Sequence, residues 1–399
     1  MSHYKPYPEY KDSGVEWIGE VPAHWRVVRL KWLSQVSSGT DSPFADGEFD
    51  LYGANGVIGR TNVASYQTSR VLIGRVGSSG SVNYAVGSYG VSDNCLVVKN
   101  SREIQTRFLL YWMLTTDFSV DVSSSAQPLL TGSQVKNHRI PLPSYCEQSQ
   151  IATFLDRETT RIDNLIEKKQ RFIELLEEKR QAVITHAVTK GLDPNVPMKD
   201  SGVEWIGEVP AHWEVKRLKR VCKLQTDQVS AGGQAVALEN IEGWSGRLLG
   251  VEQGSDTEGV PFKKGDVLFG KLRPYLAKVH LAEVDGVAVG DFFVLRLTEG
   301  LPSYLWRYLL SPPLIDLLNG ATVGAKMPRV SWQYMASTFA PVPPKTEQSK
   351  IAAFLDRETT RIDTLIEKTR QSIELLKERC SALITATVTG KIDVREEAA

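Results

Sequence analysis

The stretch EQSQIATFLDRETTRID occupies residues 147–163, and EQSKIAAFLDRETTRID occupies residues 347–363. The likeness extends over 147–193 and 347–393 at a constant offset of 200 residues. Self-similarity over such a length indicates an internal duplication, which decides the fold before any local pattern does. The rest of the chain can therefore be arranged around the two copies, here termed block B.

A second repeat lies upstream of each copy of block B. KDSGVEWIGEVPAHWRVVRLK at 11–31 returns, with two changes, as KDSGVEWIGEVPAHWEVKRLK at 199–219, an offset of 188 residues. This repeat is termed block A. The chain then has the order A–X–B–A–Y–B, and segments X (about 32–146) and Y (220–346) show little resemblance to each other.

Block B has the pattern of a long amphipathic helix, because its apolar residues recur at spacings of three, four and seven. About 40 residues at 1.5 Å each would form a rod of roughly 60 Å. A lone rod cannot bury its apolar stripe, so we expect the two copies to pack antiparallel about a pseudo-twofold axis. The predicted seam consists of Leu155, Ile162, Ile166, Ile173 and Leu176, with Leu355, Ile362, Ile366, Ile373 and Leu376.

Segments X and Y have the pattern of mixed α/β globules. Each begins with short β-rich runs separated by Gly, Asn and Asp, as strands and turns are. An amphipathic helix follows, predicted at 106–118 in X and at 303–318 in Y, and then a Pro-rich strand that leads into block B. The Gly-rich runs GRVGSSGSVNYAVG and TVGAKMPR are either turns or loops that approach a nucleic acid.

The predicted fold class is therefore α+β, with two mixed α/β globules separated by two long antiparallel helices and related by a pseudo-twofold repeat. The predicted divisions are an N-terminal segment 1–31, globules 32–146 and 220–346, long helices 147–190 and 347–390, a linker with the second block A at 191–219, and a tail 391–399.

Block A is rich in Trp and Pro and leads into each globule. One interpretation is that Trp17, Trp25, Trp205 and Trp213 pack the joint between globule and helix. The other is that they form a docking surface for another subunit. His24 and His212 repeat with the block, which favours a structural role for both.

Composition excludes several classes of protein. Lys+Arg and Asp+Glu are both 47, and no apolar run approaches the roughly 18 residues of a membrane span. The four cysteines show neither C-x-x-C spacing nor a partner histidine, so we expect no metal site and reduced thiols in the cytoplasm. P-loop, G-x-S-x-G, H-E-x-x-H and amino-methyltransferase tetrad motifs are all missing, so no catalytic residue is predicted.

Three repeated or clustered motifs resemble a known family. They are EWIGEVPAHW opening each half, FKKGDVLFGKLRPYL within Y, and P-x-x-x-E-Q-x-x-I-A-x-F-L-D at Pro143–Asp156 and Pro343–Asp356. Together they resemble the specificity subunit of type I restriction-modification systems over essentially the whole chain. The resemblance implies that the globules are target-recognition domains, each of which reads one half of a bipartite site in double-stranded DNA.

The resemblance also implies the partners. Two modification subunits would join the chain to form an adenine methyltransferase, and restriction subunits would complete a translocase and nuclease. The chain would have no cofactor of its own, because S-adenosylmethionine belongs to the modification subunits and ATP with Mg to the restriction subunits. Since X and Y differ in sequence, the two half-sites are expected to differ as well.

Side-chain chemistry indicates the candidate DNA contacts. Arg, Asn and Gln can form bidentate contacts with bases, and Lys suits phosphate. Neither globule is basic in bulk, since 32–145 holds 8 basic and 8 acidic residues and 220–345 holds 13 and 12. The candidates are Arg75, Asn83, Tyr84, Gln134, Lys136 and Arg139 in X, and Lys271, Arg273, Tyr275, Lys326 and Arg329 in Y.

The balanced charge keeps an alternative open, namely an interaction scaffold whose coiled coil presents two protein-binding globules. Divergence of X from Y fits that hypothesis equally well. A self-sufficient nuclease or methyltransferase is disfavoured by the missing motifs.

Overall fold

A computed structural model describes residues 4–40, 42–122, 129–230, 234–250, 252–253, 258–324 and 326–397. The chain divides into two compact units. The first consists of Met1–Lys169 with Gln371–Ala399, and the second of Gln170–Arg370. Each unit thus combines one copy of block A, one globule and a part of each long helix.

The first unit contains a four-stranded antiparallel sheet in the order β4-β10-β7-β8 and a three-stranded sheet in the order β6-β5-β9. Short 3-10 helices lie at Leu30–Trp32 and Phe118–Asp121. The helices and strands are β1 (Tyr10–Asp12), β2 (Glu20–Pro22), β3 (Arg26–Arg29), β4 (Ser34–Ser38), β5 (Phe49–Gly53), β6 (Gly56–Thr61), β7 (Arg70–Gly74), β8 (Val82–Ala85), β9 (Tyr89–Val91), β10 (Cys95–Asn100), α1 (Thr106–Thr115), α2 (Gly132–Asn137), β11 (Arg139–Leu142) and α3 (Tyr145–Lys190), the last of which continues into the second unit.

The second unit contains a four-stranded antiparallel sheet in the order β15-β23-β20-β21 and a five-stranded sheet in the order β16-β19-β22-β17-β18. Short 3-10 helices lie at Leu238–Asn240 and Pro274–Leu276. The helices and strands are β12 (Met198–Asp200), β13 (Glu208–Pro210), β14 (Glu214–Arg217), α4 (Leu218–Val221), β15 (Cys222–Gln225), β16 (Val229–Ser230), β17 (Gln234–Val236), β18 (Glu252–Gln253), β19 (Glu258–Phe262), β20 (Val267–Gly270), β21 (Val279–Leu281), β22 (Gly286–Val289), β23 (Phe292–Leu297), α5 (Pro302–Leu309), α6 (Pro312–Gly320), α7 (Trp332–Ser337), β24 (Phe339–Val342) and α8 (Lys345–Val388).

The four-stranded sheets of the two globules match in order and in register. In the first, Gly74 at the end of β7 pairs with Cys95 of β10. In the second, Gly270 at the end of β20 pairs with Phe292 of β23. X and Y can share a register although their sequences differ, because strand register depends on which face is apolar and not on residue identity. Equivalent positions can therefore be compared between the globules.

The helix predicted at 303–318 is two helices, α5 and α6, so that prediction was wrong in detail. The break falls at Ser311, which is extended (ψ 129°) before Pro312 and Pro313. A proline disfavours the α conformation in the residue that precedes it, which ends α5. The Pro-rich strands β11 and β24 do lead into the long helices, as the sequence predicted.

The long helices α3 and α8 have 46 and 44 residues. In the second unit they run antiparallel, since Glu177 pairs with Arg370 at 3.4 Å and Arg180 pairs with Asp363 at 3.0 Å. The residues of the predicted seam follow a buried or half-buried stripe along both helices: Leu155, Ile162, Leu176, Leu355, Ile362, Ile366 and Ile373 are buried, and Ile166, Ile173 and Leu376 are half-buried. Among the described residues, no helix is long and apolar enough to cross a membrane.

Block A forms a β-hairpin in each unit, β1–β2 and β12–β13, and then places one Trp in the core. Trp25 and Trp213 are fully buried, which confirms joint packing for these two. Trp205 is half-buried against Tyr308, and Trp17 is 47% exposed.

Candidate nucleic-acid interface

Two loops meet at one end of the four-stranded sheet in the second globule. The loop that follows β20 and the loop that precedes α7 are joined through Arg329, whose backbone bridges Leu272 and Val323. The amide of Arg273 donates to the carbonyl of Pro328 at 2.8 Å, which fastens the same two loops. Binding residues concentrate on loops that a rigid scaffold positions, so this end of the sheet is the candidate interface.

All five candidates predicted in Y lie on these two loops, although the sequence separates them by up to 58 positions. Arg273 has a left-handed backbone (φ 50°), and Tyr275 in the short helix after it is 46% exposed. Lys326 is exposed at the tip of the second loop. The structure therefore brings Lys271, Arg273, Tyr275, Lys326 and Arg329 onto one paired set of loops.

Asp291 organises the basic side chains of this loop pair. Arg329 donates from Nε to Asp291 Oδ1 at 3.1 Å and from Nη2 to Oδ2 at 2.9 Å. Lys271 Nζ lies 3.8 Å from Oδ1 of the same carboxylate. The hydrogen bonds that Arg329 donates to Asp291 raise the pKa of Arg329, so its guanidinium stays charged.

The first globule has the equivalent loop pair. The amide of Leu130 donates to the carbonyl of Arg75 at 3.0 Å, and Val76 bridges Leu129. Arg75 follows Gly74 as Lys271 follows Gly270, so the two basic residues occupy the same place. Its Nη1 donates to Ser38 Oγ at 3.2 Å and to the carbonyl of Asp93 at 3.5 Å, and the residue is half-buried.

Asn83 and Tyr84 lie on β8, beside the loop. Asn83 Nδ2 donates a long hydrogen bond to the carbonyl of Ala54 at 3.5 Å, and the residue is half-buried. Tyr84 packs under the guanidinium of Arg107, 4.8 Å from the ring centroid, and Arg107 in turn pairs with Asp156 of α3. Tyr84 therefore packs against the joint with the long helix.

Gln134, Lys136 and Arg139 lie farther along the chain, on α2 and β11. Gln134 Oε1 accepts from the backbone amide of Thr131 at 2.8 Å, and its Nε2 donates to the carbonyl of Asp121. Both ends of the amide are thus engaged, the oxygen in the cap of α2 and the nitrogen at Asp121, and a bidentate base contact would break both contacts. Lys136 is half-buried at the end of α2, and Arg139 is exposed on β11 opposite Arg29.

Sequence reasoning missed Asp291 and its counterpart Asn94. The amide of Lys271 donates to the carbonyl of Asp291 at 2.9 Å, and that of Arg75 donates to the carbonyl of Asn94 at 2.8 Å. No sequence signal marks either residue, because the equivalence depends on strand register. In the part of the chain that the structure describes, no group of His, Cys, Asp or Glu could hold a metal ion.

A family model for the type I restriction modification DNA specificity domain matches residues 23–175 and 210–375, which is most of the chain. The chain belongs to the type I restriction-modification DNA specificity family. Each matched segment contains one globule with its loop pair, so this specificity subunit carries two target-recognition domains. The resemblance inferred from the repeated motifs is confirmed.

Relatives of the specificity subunit cover almost its whole length. The specificity subunit of the type I restriction enzyme EcoDI from Escherichia coli is 23% identical over 94% of this chain and 90% of that protein. The MjaIX specificity subunit from Methanocaldococcus jannaschii is 22% identical over 99% of each chain.

Two solved structures share the fold. A chain from a structure of type I restriction-modification complex assembly has a TM-score of 0.69 and 16% identity, covering 93% of this chain and 99% of that one. The HsdS subunit from Thermoanaerobacter tengcongensis has a TM-score of 0.52 and 18% identity, covering 93% and 98%. The α+β class with two globules and long helices is thereby confirmed.

Proposed function

We propose that each globule of this specificity subunit reads one half of an asymmetric bipartite DNA site. The observation that supports this most directly is the loop pair at the same end of both four-stranded sheets. The scaffold is common to the globules, but the side chains that it presents are different. Different side chains select different base edges, so the two half-sites differ and the full site is not a palindrome.

The proposed contacts are the basic and aromatic side chains of the loop pairs, with neighbouring polar residues as secondary contacts. Arg75 and Lys271 occupy equivalent places, and Tyr275 offers an exposed ring. Gln134 is left out because its amide caps α2, and Tyr84 is left out because its ring packs under Arg107. The primary set is Arg75, Lys271, Arg273, Tyr275, Lys326 and Arg329, and the secondary set is Asn83, Lys136 and Arg139.

We infer that partner subunits supply much of the contact with phosphate. Affinity for DNA depends on how many phosphates are neutralised by basic residues. Both globules are close to neutral, with 8 basic against 8 acidic residues in 32–145 and 13 against 12 in 220–345. Two modification subunits would close around the duplex, and restriction subunits would join them for cleavage.

Exposed apolar side chains on the long helices support docking of such partners. On α3 these are Leu165, Phe172 and Leu175, which are 40%, 45% and 47% exposed. On α8, Leu365 is 39% and Leu375 is 65% exposed. Exposed apolar patches that recur at helical spacing mark interaction surfaces.

The chain itself would carry out no chemistry. S-adenosylmethionine would bind the modification subunits, and ATP with Mg the restriction subunits, all in the cytoplasm.

Co-expression with a modification subunit, followed by sequencing of methylated adenines, tests the proposal. We expect one split, asymmetric motif with a constant gap. Replacing 32–146 with the globule of another specificity subunit should change one half of the motif and leave the other half unchanged. Methylation without sequence preference, or a change in both halves, would refute the division of labour between the globules.

The scaffold hypothesis makes a different prediction for the same experiment. A scaffold would assemble the complex, and exchange of either globule would alter its protein partners but not a DNA motif. The neutral globules favour that hypothesis, whereas membership in the DNA specificity family opposes it.

A further inference from the structure

Arg329 is held in one orientation by a carboxylate. Its Nε and Nη2 donate to the two oxygens of Asp291 at 3.1 Å and 2.9 Å, so the pair is formed through one edge of the guanidinium. A guanidinium carries five N–H donors in a rigid plane. The pairing uses two of them and leaves the Nη1–Nη2 edge for another acceptor, while the side chain is 48% exposed.

Both members of this pair are also fixed by their backbones. Arg329 exchanges two hydrogen bonds with Val323, at 3.1 Å and 3.0 Å, and bridges Leu272 of the opposite loop. Asp291 follows Gly290, which has a φ of 84°, and it accepts at its carbonyl from the amide of Lys271. A side chain held in this way loses little conformational entropy when it binds.

Two parallel donors on a fixed plane match one base edge in the major groove. Guanine presents two acceptors there, O6 and N7, whereas adenine presents one acceptor and a donor that would oppose the guanidinium. Phosphate also accepts two donors, but its binding depends on net charge. Asp291 balances one of the two positive charges that Lys271 and Arg329 place beside it, and it fixes the plane of the guanidinium. A fixed plane with two parallel donors suits a base edge.

We propose that Arg329, oriented by Asp291, reads a guanine in the half-site bound by the second globule. This rests on the proposed function, and it names the base and the residues that select it. At the equivalent positions of the first globule, Asn94 stands where Asp291 does, and Leu129 bridges Val76 as Arg329 bridges Leu272. These two positions therefore hold no matching pair. The requirement for this guanine therefore belongs to one half-site only.

The test uses the complex with its modification subunits and the methylation motif of the wild-type complex. Each guanine in the second half-site is replaced in turn, and binding is measured by competition between duplexes. We expect one position at which the wild-type complex discriminates by roughly 5- to 140-fold, the factor that corresponds to about 1–3 kcal/mol for a bidentate pair. Arg329→Gln should abolish discrimination there and leave it unchanged at the other positions.

Asp291→Asn tests the orienting role separately. The variant should lower discrimination at the same position several-fold and strengthen binding to unrelated DNA, because the charge of Arg329 is then no longer balanced and its side chain is no longer held. A matched control is Arg296→Gln. Arg296 forms a similar pair with Asp266 in the same globule, near the opposite end of β23. Arg296→Gln should leave base discrimination unchanged.

The outcomes separate this inference from the proposed function. If Arg329→Gln weakens binding to every duplex equally and lowers the salt dependence, Arg329 contacts phosphate and the inference is wrong, although the bipartite motif stands. If the wild-type motif contains no guanine in that half-site, the inference is also wrong. If the wild-type complex shows no motif, the proposed function fails first.

Discussion

Glu147 and Glu347 occupy the same position in the two copies of block B, but the structure predicts very different effects when each is replaced. Glu147 accepts from Tyr7 Oη at 2.9 Å and from Trp25 Nε1 at 3.1 Å, and His24 Nε2 lies 3.1 Å away. Its side chain is only 5% exposed. Glu347 contacts His212 Nε2 at 2.8 Å, and its side chain is 25% exposed.

The energetic difference follows from the buried donors. A hydrogen bond to a charged group contributes about 1.5–3 kcal/mol, and a buried donor left without an acceptor costs about 1–3 kcal/mol. Glu147→Ala leaves both Tyr7 and Trp25 in that state, so we expect a loss of about 3–4 kcal/mol. Glu347→Ala removes a partly exposed pair, which is worth about 0–1 kcal/mol. Trp213 Nε1, the counterpart of Trp25 Nε1, is buried without an acceptor among the described groups. Glu347→Ala therefore removes no hydrogen bond from Trp213.

For a unit of about 200 residues, the expected lowering of Tm is roughly 6–16 °C for Glu147→Ala and at most a few degrees for Glu347→Ala. Because a chain of two units need not unfold in one step, hydrogen exchange measured by peptide is the better assay. Protection should fall within Met1–Lys169 for Glu147→Ala and stay constant within Gln170–Arg370. Glu147→Gln retains an acceptor and should recover part of the loss. Equal destabilisation by the two alanine variants would refute the reasoning.

Three further predictions concern other parts of the chain. Burial raises the pKa of Cys95 to about 11 and that of Cys222 to about 12, so both are thiols at pH 8; mass spectrometry after maleimide treatment should find label on exposed Cys146 first and on these two only after denaturation. Leu375→Glu, at a side chain that is 65% exposed, should weaken binding to the modification subunit at least tenfold in a pull-down titration and leave Tm within about 2 °C, as surface substitutions do. Arg180→Ala should lower the free energy of unfolding by about 1–3 kcal/mol in a urea titration, because this nearly buried guanidinium bonds a carboxylate on α8 and the carbonyl of a Trp, both of which would lose their donor.

The helical part of the fold was predictable because its signal is periodic. The apolar stripe of block B recurs at helical spacing, and each of its predicted residues is buried or half-buried in the structure. The strand that leads into each long helix was predictable from its prolines, because a Pro-rich segment cannot be part of a helix interior. Helix boundaries in Y were less predictable, and the break at Ser311 was missed although Pro312 and Pro313 signalled it.

The candidate site was predictable in its location but not in its organisation. Side-chain chemistry led to both loops of the second globule, because base contacts need the donors of Arg and phosphate contacts suit Lys. The pairing of Leu272 with Arg329 joins residues 57 positions apart, and no local pattern encodes it. The chemistry that made Gln134 a candidate for base contact also lets it form a capping box with Thr131, which is the contact that the structure shows.

In this chain, identical residues can lie in different environments, and different residues can occupy equivalent positions. The letters of block B are nearly the same in both copies, yet Glu147 is buried among three donors and Glu347 contacts one. The letters of X and Y differ almost throughout, yet Gly74 and Gly270 end equivalent strands in the same register. A sheet tolerates such divergence because its register requires only that one face stay apolar. Residues immediately beyond the strand ends, such as Arg75 and Lys271, are then free to change without refolding the sheet, and the specificity of each half-site can diverge at those positions.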